Sequence, residues 1–139
     1  MAYAWDGVRA FEQDGATHDF RTLGGLYAET VQLFTMDPDI KTVEDLKGKS
    51  VSIGAANSGV YFNALDVLNA GGITLDDIHP QYLSFEDSEE SLKDGKIDAA
   101  FIVAGAPTTA ITELATTNGV YMINIDGAIR DSILSDCPY

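Results

Sequence analysis

Apolar positions along the chain repeat every two residues in some segments and every three or four in others, which predicts alternating strands and helices. The clearest segment is 51–65, where Val51 and Ile53 alternate as in a strand and lead through a glycine-rich turn into a helix. Ser58 is placed to cap the amino end of this helix, and Gly71-Gly72 is placed to end it. The predicted apolar face of the helix comprises Tyr61, Ala64, Leu65 and Leu68.

The rest of the chain continues this alternation. Strands are predicted at 31–35, 50–54, 79–84, 97–103 and 120–125, helices at 42–46, 58–70, 85–93, 107–118 and 126–134, and a capped turn at 74–78. Segment 97–103 is apolar at nearly every position, which is typical of a central parallel strand buried on both faces. The pattern predicts an α/β fold, a three-layer sandwich whose mostly parallel sheet carries helices on both faces.

Composition and net charge exclude several classes of function. The 139 residues, 45% of them hydrophobic, can form one ordinary core, so a single domain spanning 1–139 is expected. A net charge of −14 argues against nucleic acid and against an anionic membrane surface as partners. No signal peptide or membrane-spanning run is visible, the single Cys137 excludes an internal disulfide, and His18 and His79 have no metal-ligand spacing. No cofactor or metal is therefore expected.

Two strand-to-helix turns carry the candidate binding chemistry. The first is the turn around Ser58, and the second is the Gly105–Thr109 segment, in which Pro107 suits the first position of the next helix. Free N–H groups at a helix start favour anions, and in open α/β sheets ligands bind outside the carboxyl ends of strands. Ordinary structural turns, with Thr108 and Thr109 only capping a helix, explain the same residues.

An enzyme is not expected from these residues. Ser58 lies outside a G-x-S-x-G motif, and no histidine is placed by sequence to act as its base. Cys137 stands beside Pro138 near the end of the chain, which makes it a poor nucleophile candidate.

Several stretches together resemble one known family, the TAXI-type solute receptors of TRAP transporters, within the type II periplasmic-binding-protein fold. The stretches are 46–59 (LKGKSVSIGAANSG), 82–88 (YLSFEDS), 92–101 (LKDGKIDAAF) and 104–111 (AGAPTTAI), together with segment 23–33. The resemblance covers nearly the whole chain, although family members are about twice as long. It therefore implies an isolated second lobe.

The lobe predicted from this resemblance spans about 22–125, with 1–21 and 126–139 as inter-lobe crossings or remnants of the first lobe. The missing lobe would account for the uncovered apolar side chains of Tyr3, Trp5 and Phe11. An isolated lobe with such uncovered ends could also form a homodimer. It would bind cargo weakly, because half of the clamp is absent.

The resemblance implies binding without catalysis. The cargo would be a small organic anion, such as a glutamate-like amino acid or a dicarboxylate, delivered outside the cytoplasm to a TRAP-type membrane permease. The location would be the periplasm, or the cell surface if the parent carries a lipid anchor. The ligand-binding residues that it implies are Asn57, Ser58, Gly59, Val60, Tyr61, Gly105, Pro107, Thr108 and Thr109, with Tyr27 and Arg21 as further candidates near the lobe crossing. Val60 stands where the family usually has threonine, which removes one hydroxyl donor. A ligand-sensing domain of a regulator would have the same fold and remains the alternative.

Overall fold

The structure is a computed structural model that describes residues 28–117 and 119–136. Its strands are β1 (Thr30–Thr35), β2 (Ser50–Ser52), β3 (His79–Gln81), β4 (Ala99–Ala104) and β5 (Tyr121–Met122). Its α-helices are α1 (Gly59–Ala70), α2 (Phe85–Lys93), α3 (Thr109–Thr117) and α4 (Gly127–Asp136). Short 3-10 helices at Val43–Leu46 and Leu75–Asp77 connect them.

The five strands form one sheet in the order β3-β2-β4-β1-β5. β2 pairs in parallel with both β3 and β4, whereas β1 pairs antiparallel with β4 and β5. Four strands therefore run in one direction and β1 runs against them. The mostly parallel sheet is confirmed, and β4 is its central strand as predicted.

Helices cover both faces of the sheet. One core cluster joins Leu33 and Phe101 to α1 and to Ile129 and Ile133 of α4. A second cluster joins Phe34 and Ile102 to Leu92 of α2 and Leu114 of α3. Successive residues of β1 and β4 contribute to opposite clusters because strand side chains alternate between the two faces. This alternation explains why segment 97–103 is apolar throughout, and the three-layer arrangement is confirmed.

The helix caps, which form between residues close in sequence, match the prediction. Thr42 and Asp45 form a capping box at the first 3-10 helix, and the Ser58 hydroxyl accepts a hydrogen bond from the Tyr61 N–H. Helix α1 ends at Ala70, directly before Gly71. Gly71 also packs tightly, because a Cβ there would lie 2.7 Å from Cγ1 of Val43.

Several predicted boundaries were wrong. β3 ends at Gln81 rather than Ser84, because Ser84 caps α2 instead of continuing the strand. β5 covers only Tyr121–Met122, and α3 begins at Thr109, two residues after Pro107. The buried residues of α1 also include Phe62 and Val67, and Val67 lies beside Ile133 and Leu134 of α4. Tyr61 and Leu65 are only half-buried.

Among the described residues, no helix is long and apolar enough to cross a bilayer. Residues 1–27, which include the apolar side chains predicted to be uncovered, lie outside the described residues. The proposed lobe boundaries remain a prediction.

Candidate functional site

The carboxyl ends of β2 and β4 form the centre of the candidate site. β2 is followed by α1 on one face of the sheet, and β4 is followed by α3 on the other face. The two strands are neighbours, with Val51 opposite Ala99 and Ser52 opposite Ala100. The chain thus leaves adjacent strands in opposite directions, and such a switch point is where open α/β sheets form a ligand crevice.

The start of α1 leaves backbone donors available at this edge. Ser58 uses its side-chain oxygen to accept from the Tyr61 N–H at 3.2 Å, and its carbonyl oxygen accepts from the Phe62 N–H. Within the described part of the chain, the N–H groups of Gly59 and Val60 have no protein acceptor. The first turn of α1 also contains no acidic residue. Two free donors and the positive end of the helix dipole therefore face the edge.

Backbone geometry fixes the turn that leads into α1. Gly54 has a φ of +80°, and a Cβ at this position would lie 2.7 Å from the Cβ of Val60 and 3.1 Å from the Ser58 oxygen. Only glycine permits both the left-handed conformation and this close approach. Asn57 also has a positive φ, of 61°, a region that asparagine tolerates better than most residues. The turn thus holds the first residues of α1 close against β2.

The second predicted turn follows β4 and is held by a residue of β1. Gln32 is 7% exposed, and its Nε2 lies 3.0 Å from the Thr108 hydroxyl oxygen and 3.4 Å from the Ala104 carbonyl oxygen. The Thr108 hydroxyl donates either to Oε1 of Gln32 at 3.2 Å or to the Gly105 carbonyl at 3.3 Å. This hydroxyl therefore ties the turn to β1 and does not act as a simple helix cap. The peptide bond between Ala106 and Pro107 is cis.

A cavity of about 230 Å³ opens at the same edge, between the starts of α1 and α2. Ser58 and Val60 lie on one side of it, the connection from β3 to α2 lies on the other, and β4 closes it below. Its apolar lining comprises Ala55, Val60, Leu83, Phe85, Phe101, Ile102 and Val103. Ile102 and Phe101 are each only 2% exposed, so the cavity reaches down to the point where the two core clusters meet.

Two buried serines join β2 to α2 beneath this cavity. The Ser52 and Ser88 hydroxyl oxygens lie 2.7 Å apart, and Ser88 donates to the Ser84 carbonyl at 2.6 Å. Because Ser88 has a single hydroxyl hydrogen, Ser52 must donate to Ser88. The pair is 0% and 2% exposed and leaves no buried side-chain donor or acceptor unsatisfied. It fixes α2 against the sheet.

The start of α2 differs electrostatically from the start of α1. Ser84 caps α2 by accepting from the Asp87 N–H and donates its hydroxyl hydrogen to the Asp87 carboxylate at 2.7 Å. Glu86 adds a second carboxylate to the first turn. These acids already occupy the favourable positions for negative charge, so an added anion is disfavoured there.

The described lysines lie at the opposite edge of the sheet. Lys41 follows the end of the antiparallel β1, Lys47 and Lys49 precede β2, and Lys93 and Lys96 precede β4. Arg130 of α4 bonds the Asp131 carboxylate at 2.7 Å. No lysine or arginine among the described residues lines the cavity. Any negative charge held there would depend on N–H and hydroxyl donors from this part of the chain.

The structure brings together only part of the predicted site. Asn57, Ser58, Gly59, Val60 and Tyr61 lie together at the start of α1, and Ser58 and Val60 line the cavity. Gly105, Pro107, Thr108 and Thr109 follow the neighbouring strand but do not line that cavity. Arg21 and Tyr27 lie outside the described residues. The predicted ligand role of each residue remains a prediction.

Sequence reasoning missed Gln32 and the serines of the β3–α2 connection. Ser84 before Glu86 and Asp87 was a recognisable helix-cap signal. No local signal connects Gln32 to Thr108, which lies 76 residues away. In residues 28–117 and 119–136, no cluster of three or more histidine, cysteine or acidic side chains is arranged to hold a metal.

A family model described as NMT1-like matches residues 1–139 of the chain. The chain belongs to the NMT1-like family. This NMT1-like chain also resembles the periplasmic aliphatic sulphonate-binding protein SsuA of Escherichia coli, with 30% identity and a TM-score of 0.56 over 70% of this chain and 31% of that one. The alkanesulfonate-binding SsuA of Xanthomonas axonopodis pv. citri, bound to MOPS, is 28% identical with a TM-score of 0.55, over 70% and 32% of the respective chains.

A more distant neighbour shares the fold. The periplasmic binding protein of Brucella ovis with glutathione bound is 16% identical, with a TM-score of 0.56 over 70% of this chain and 30% of that chain. This NMT1-like chain spans about a third of the length of the three binding proteins compared. The family and the shared fold make it a member of the type II periplasmic-binding-protein superfamily.

Proposed function

We propose that the chain is one lobe of an extracytoplasmic solute receptor, which binds a small organic anion without catalysing a reaction. The observation that carries this proposal is the pair of free N–H groups, on Gly59 and Val60, at an α1 start that bears no acidic residue. Backbone donors at a helix start bind carboxylate, sulfonate or phosphate oxygens in many proteins. Membership of the NMT1-like family and the binding proteins with the same fold support the receptor class.

The proposed contacts lie on both sides of the switch point. The anionic group contacts Ser58–Tyr61, and the Gly105–Thr109 turn, fixed by Gln32, approaches the cargo from the neighbouring strand. The motif resemblance favours a carboxylate cargo such as a glutamate-like amino acid or a dicarboxylate. The sulphonate named for the Escherichia coli neighbour makes a sulfonate head group the main rival.

The direct test is an NMR titration of the isotopically labelled chain with glutamate, 2-oxoglutarate, succinate and ethanesulfonate. We expect saturable shifts of the Gly59, Val60 and Tyr61 amides with dissociation constants of about 1 mM, or about −4 kcal/mol, because one lobe buries only part of a ligand. Smaller shifts are expected at the Thr109 and Ile111 amides. Shifts that cluster away from both turns would contradict the proposed site.

A variant that adds a negative charge tests the anion site directly. Ser58→Asp retains a good helix cap but places a carboxylate where the anion is expected, so binding should weaken at least about tenfold, equivalent to 1.4 kcal/mol. Asn69→Asp makes the same change in charge at the other end of α1 and should leave binding unchanged. Equal binding by the two variants would refute an anion site at Ser58.

The motif resemblance also supports a TRAP-type permease as the membrane partner. A TRAP permease is driven by an ion gradient, whereas the Brucella ovis neighbour is described with an ABC transporter. Uptake of labelled cargo by cells that express the complete transport system distinguishes the two. We expect uptake to stop when an ionophore collapses the gradient, even where ATP is maintained. Uptake that follows ATP alone would assign the receptor to an ABC system.

A further inference from the structure

We infer that the outer edge of β5 pairs with the same edge of a second copy of this chain, so that two sheets join into one across a two-fold axis. The surface consists of the backbone of residues 120–124 and the side chains of Tyr121 and Met122. This inference is independent of the proposed function, because neither α1 nor the cavity beside it takes part in the contact.

The register of β5 leaves the backbone groups of Met122 without a partner. Ile123 donates its N–H to the Leu33 carbonyl at 2.9 Å, which fixes how β5 faces β1. Alternate residues of an antiparallel pair direct both backbone groups towards the partner strand, so residues 121 and 123 face β1 and Met122 faces away. Within the described residues, nothing accepts from the Met122 N–H or donates to its carbonyl. Such an edge is a template for another strand.

A second copy fits this edge because the edge is complementary to itself. When two β5 strands run antiparallel with Met122 on the two-fold axis, each Met122 N–H donates to the carbonyl of the partner's Met122. One contact therefore satisfies both backbone groups in both chains. Tyr121 then lies opposite the partner's Ile123, on the same face of the sheet.

The side chains leave this edge accessible from both faces. Tyr121 and Met122 are 47% and 49% exposed, and successive residues of a strand point to opposite faces. Residues 115–125 contain no charged side chain, although the chain has a net charge of −14. Lysine and proline, which commonly protect edge strands from pairing, are absent from this segment. Two copies can therefore approach here without bringing like charges into contact.

The other edge of the sheet is blocked. Residues 79 and 81 of β3 bond the β2 segment, through the His79 N–H at 2.8 Å and the Gln81 carbonyl at 3.0 Å. Pro80 therefore faces away from β2, and proline has no N–H to offer a further strand. Because only the β5 edge is open, the sheet can extend once. The assembly should therefore end at two copies and not grow into a fibre.

The pairing should be weak and should strengthen with salt. β5 contains only two residues, so the contact is far smaller than the roughly 800 Å² per partner of a standard interface, and we expect a dissociation constant of about 1 mM. The negative charge of the two chains opposes their approach. Raising the ionic strength from about 0.01 M to about 1 M shortens the screening length from about 30 Å to about 3 Å, so the affinity should rise.

The test is NMR diffusion of the chain at increasing concentration, together with amide hydrogen exchange. We expect diffusion to slow towards the value of a dimer, and exchange of the Met122 amide to slow with it, because this N–H becomes bonded. In a mixture of labelled and unlabelled chains, a cross-peak between the α-protons of Tyr121 and the partner's Ile123 is expected, since non-hydrogen-bonded antiparallel pairs bring these atoms closest.

Three variants locate the contact. Met122→Pro removes the outward donor and leaves the bonds to β1 in place, whereas Met122→Lys places two positive charges together at the axis. Both should remain monomeric. Tyr82→Lys is the matched control, because it makes the same change in charge at an apolar side chain that is 50% exposed beside the blocked edge. It should associate as the unaltered chain does. If Met122→Pro lowers the melting temperature, Met122→Lys carries the test.

Four outcomes would overturn this inference. The first is a chain that stays monomeric at every concentration up to several times the expected dissociation constant. The second is association that persists unchanged in Met122→Pro and Met122→Lys, which would place the contact on another surface. Association that weakens with added salt would indicate an interface of ion pairs instead. Growth beyond two copies would contradict the closed two-fold pairing.

Discussion

Replacing Gly54 by alanine tests the geometry on which the candidate site depends. The new Cβ would lie 2.7 Å from the Val60 Cβ and 2.9 Å from its Cγ1, distances that packed carbon atoms do not adopt. The φ of +80° adds a second penalty, because residues with a Cβ avoid this conformation. The start of α1 must therefore move away from β2, or the chain must absorb the strain.

The expected loss in the free energy of unfolding combines two contributions. A left-handed conformation costs an L-residue about 1–2 kcal/mol. Overpacking typically costs about 1–3 kcal/mol. We therefore expect Gly54→Ala to lower the free energy of unfolding by about 2–5 kcal/mol. Urea unfolding followed by circular dichroism measures this quantity.

Gly72→Ala is the matched control. Gly72 has a φ of +70°, but nothing lies within 4 Å of the position that its Cβ would occupy. Gly72→Ala should lower the free energy of unfolding only by the conformational penalty of about 1–2 kcal/mol. In a Val60→Gly background, which removes both clashing carbons, Gly54→Ala should cost no more than Gly72→Ala does in the unaltered chain. Equal losses for the two glycine variants in the unaltered chain would refute the packing argument.

The remaining predictions concern buried hydroxyls and exposed caps. Ser88→Ala leaves the buried Ser52 hydroxyl without an acceptor and should cost about 1–3 kcal/mol, whereas Ser52→Ala leaves Ser88 bonded to Ser84 and should cost less. Equal losses in urea unfolding would contradict this donor order. Hydrogen bonds from Thr74 lower the pKa of Asp77, so this residue stabilises the fold above the unfolded-state pKa near 3.9, and that stabilisation is lost as the pH falls through the lower folded-state pKa. The difference in stability between the unaltered chain and Asp77→Asn should shrink in acid, and a constant difference would contradict this linkage.

Features set by neighbouring residues could be predicted from the sequence. The Ser58 cap and the Thr42–Asp45 capping box each join residues three positions apart, so the residue types and their spacing were sufficient. The central position of segment 97–103 was also predictable, because burial on both faces requires apolar residues at successive positions. These signals predicted the fold class and one turn of the candidate site.

Features set by distant residues could not be predicted in this way. The apolar residues of β1 give the same pattern whether the strand is parallel or antiparallel to β4. The contacts between Ser52 and Ser88 and between Gln32 and Thr108 span 36 and 76 residues, and they exist only because the sheet brings β2, α2, β1 and the α3 turn together. The cavity is a consequence of the same topology. Its apolar walls come from α1, β4 and the β3–α2 connection, whose residues resemble ordinary core positions in the sequence.

The net charge of −14 is compatible with an anion site because the two effects act over different distances. At physiological ionic strength, exposed charges are largely screened beyond about 8 Å, whereas the Gly59 and Val60 N–H groups act at hydrogen-bond distance. The acidic surface therefore slows the approach of anions more than it weakens their contact with α1.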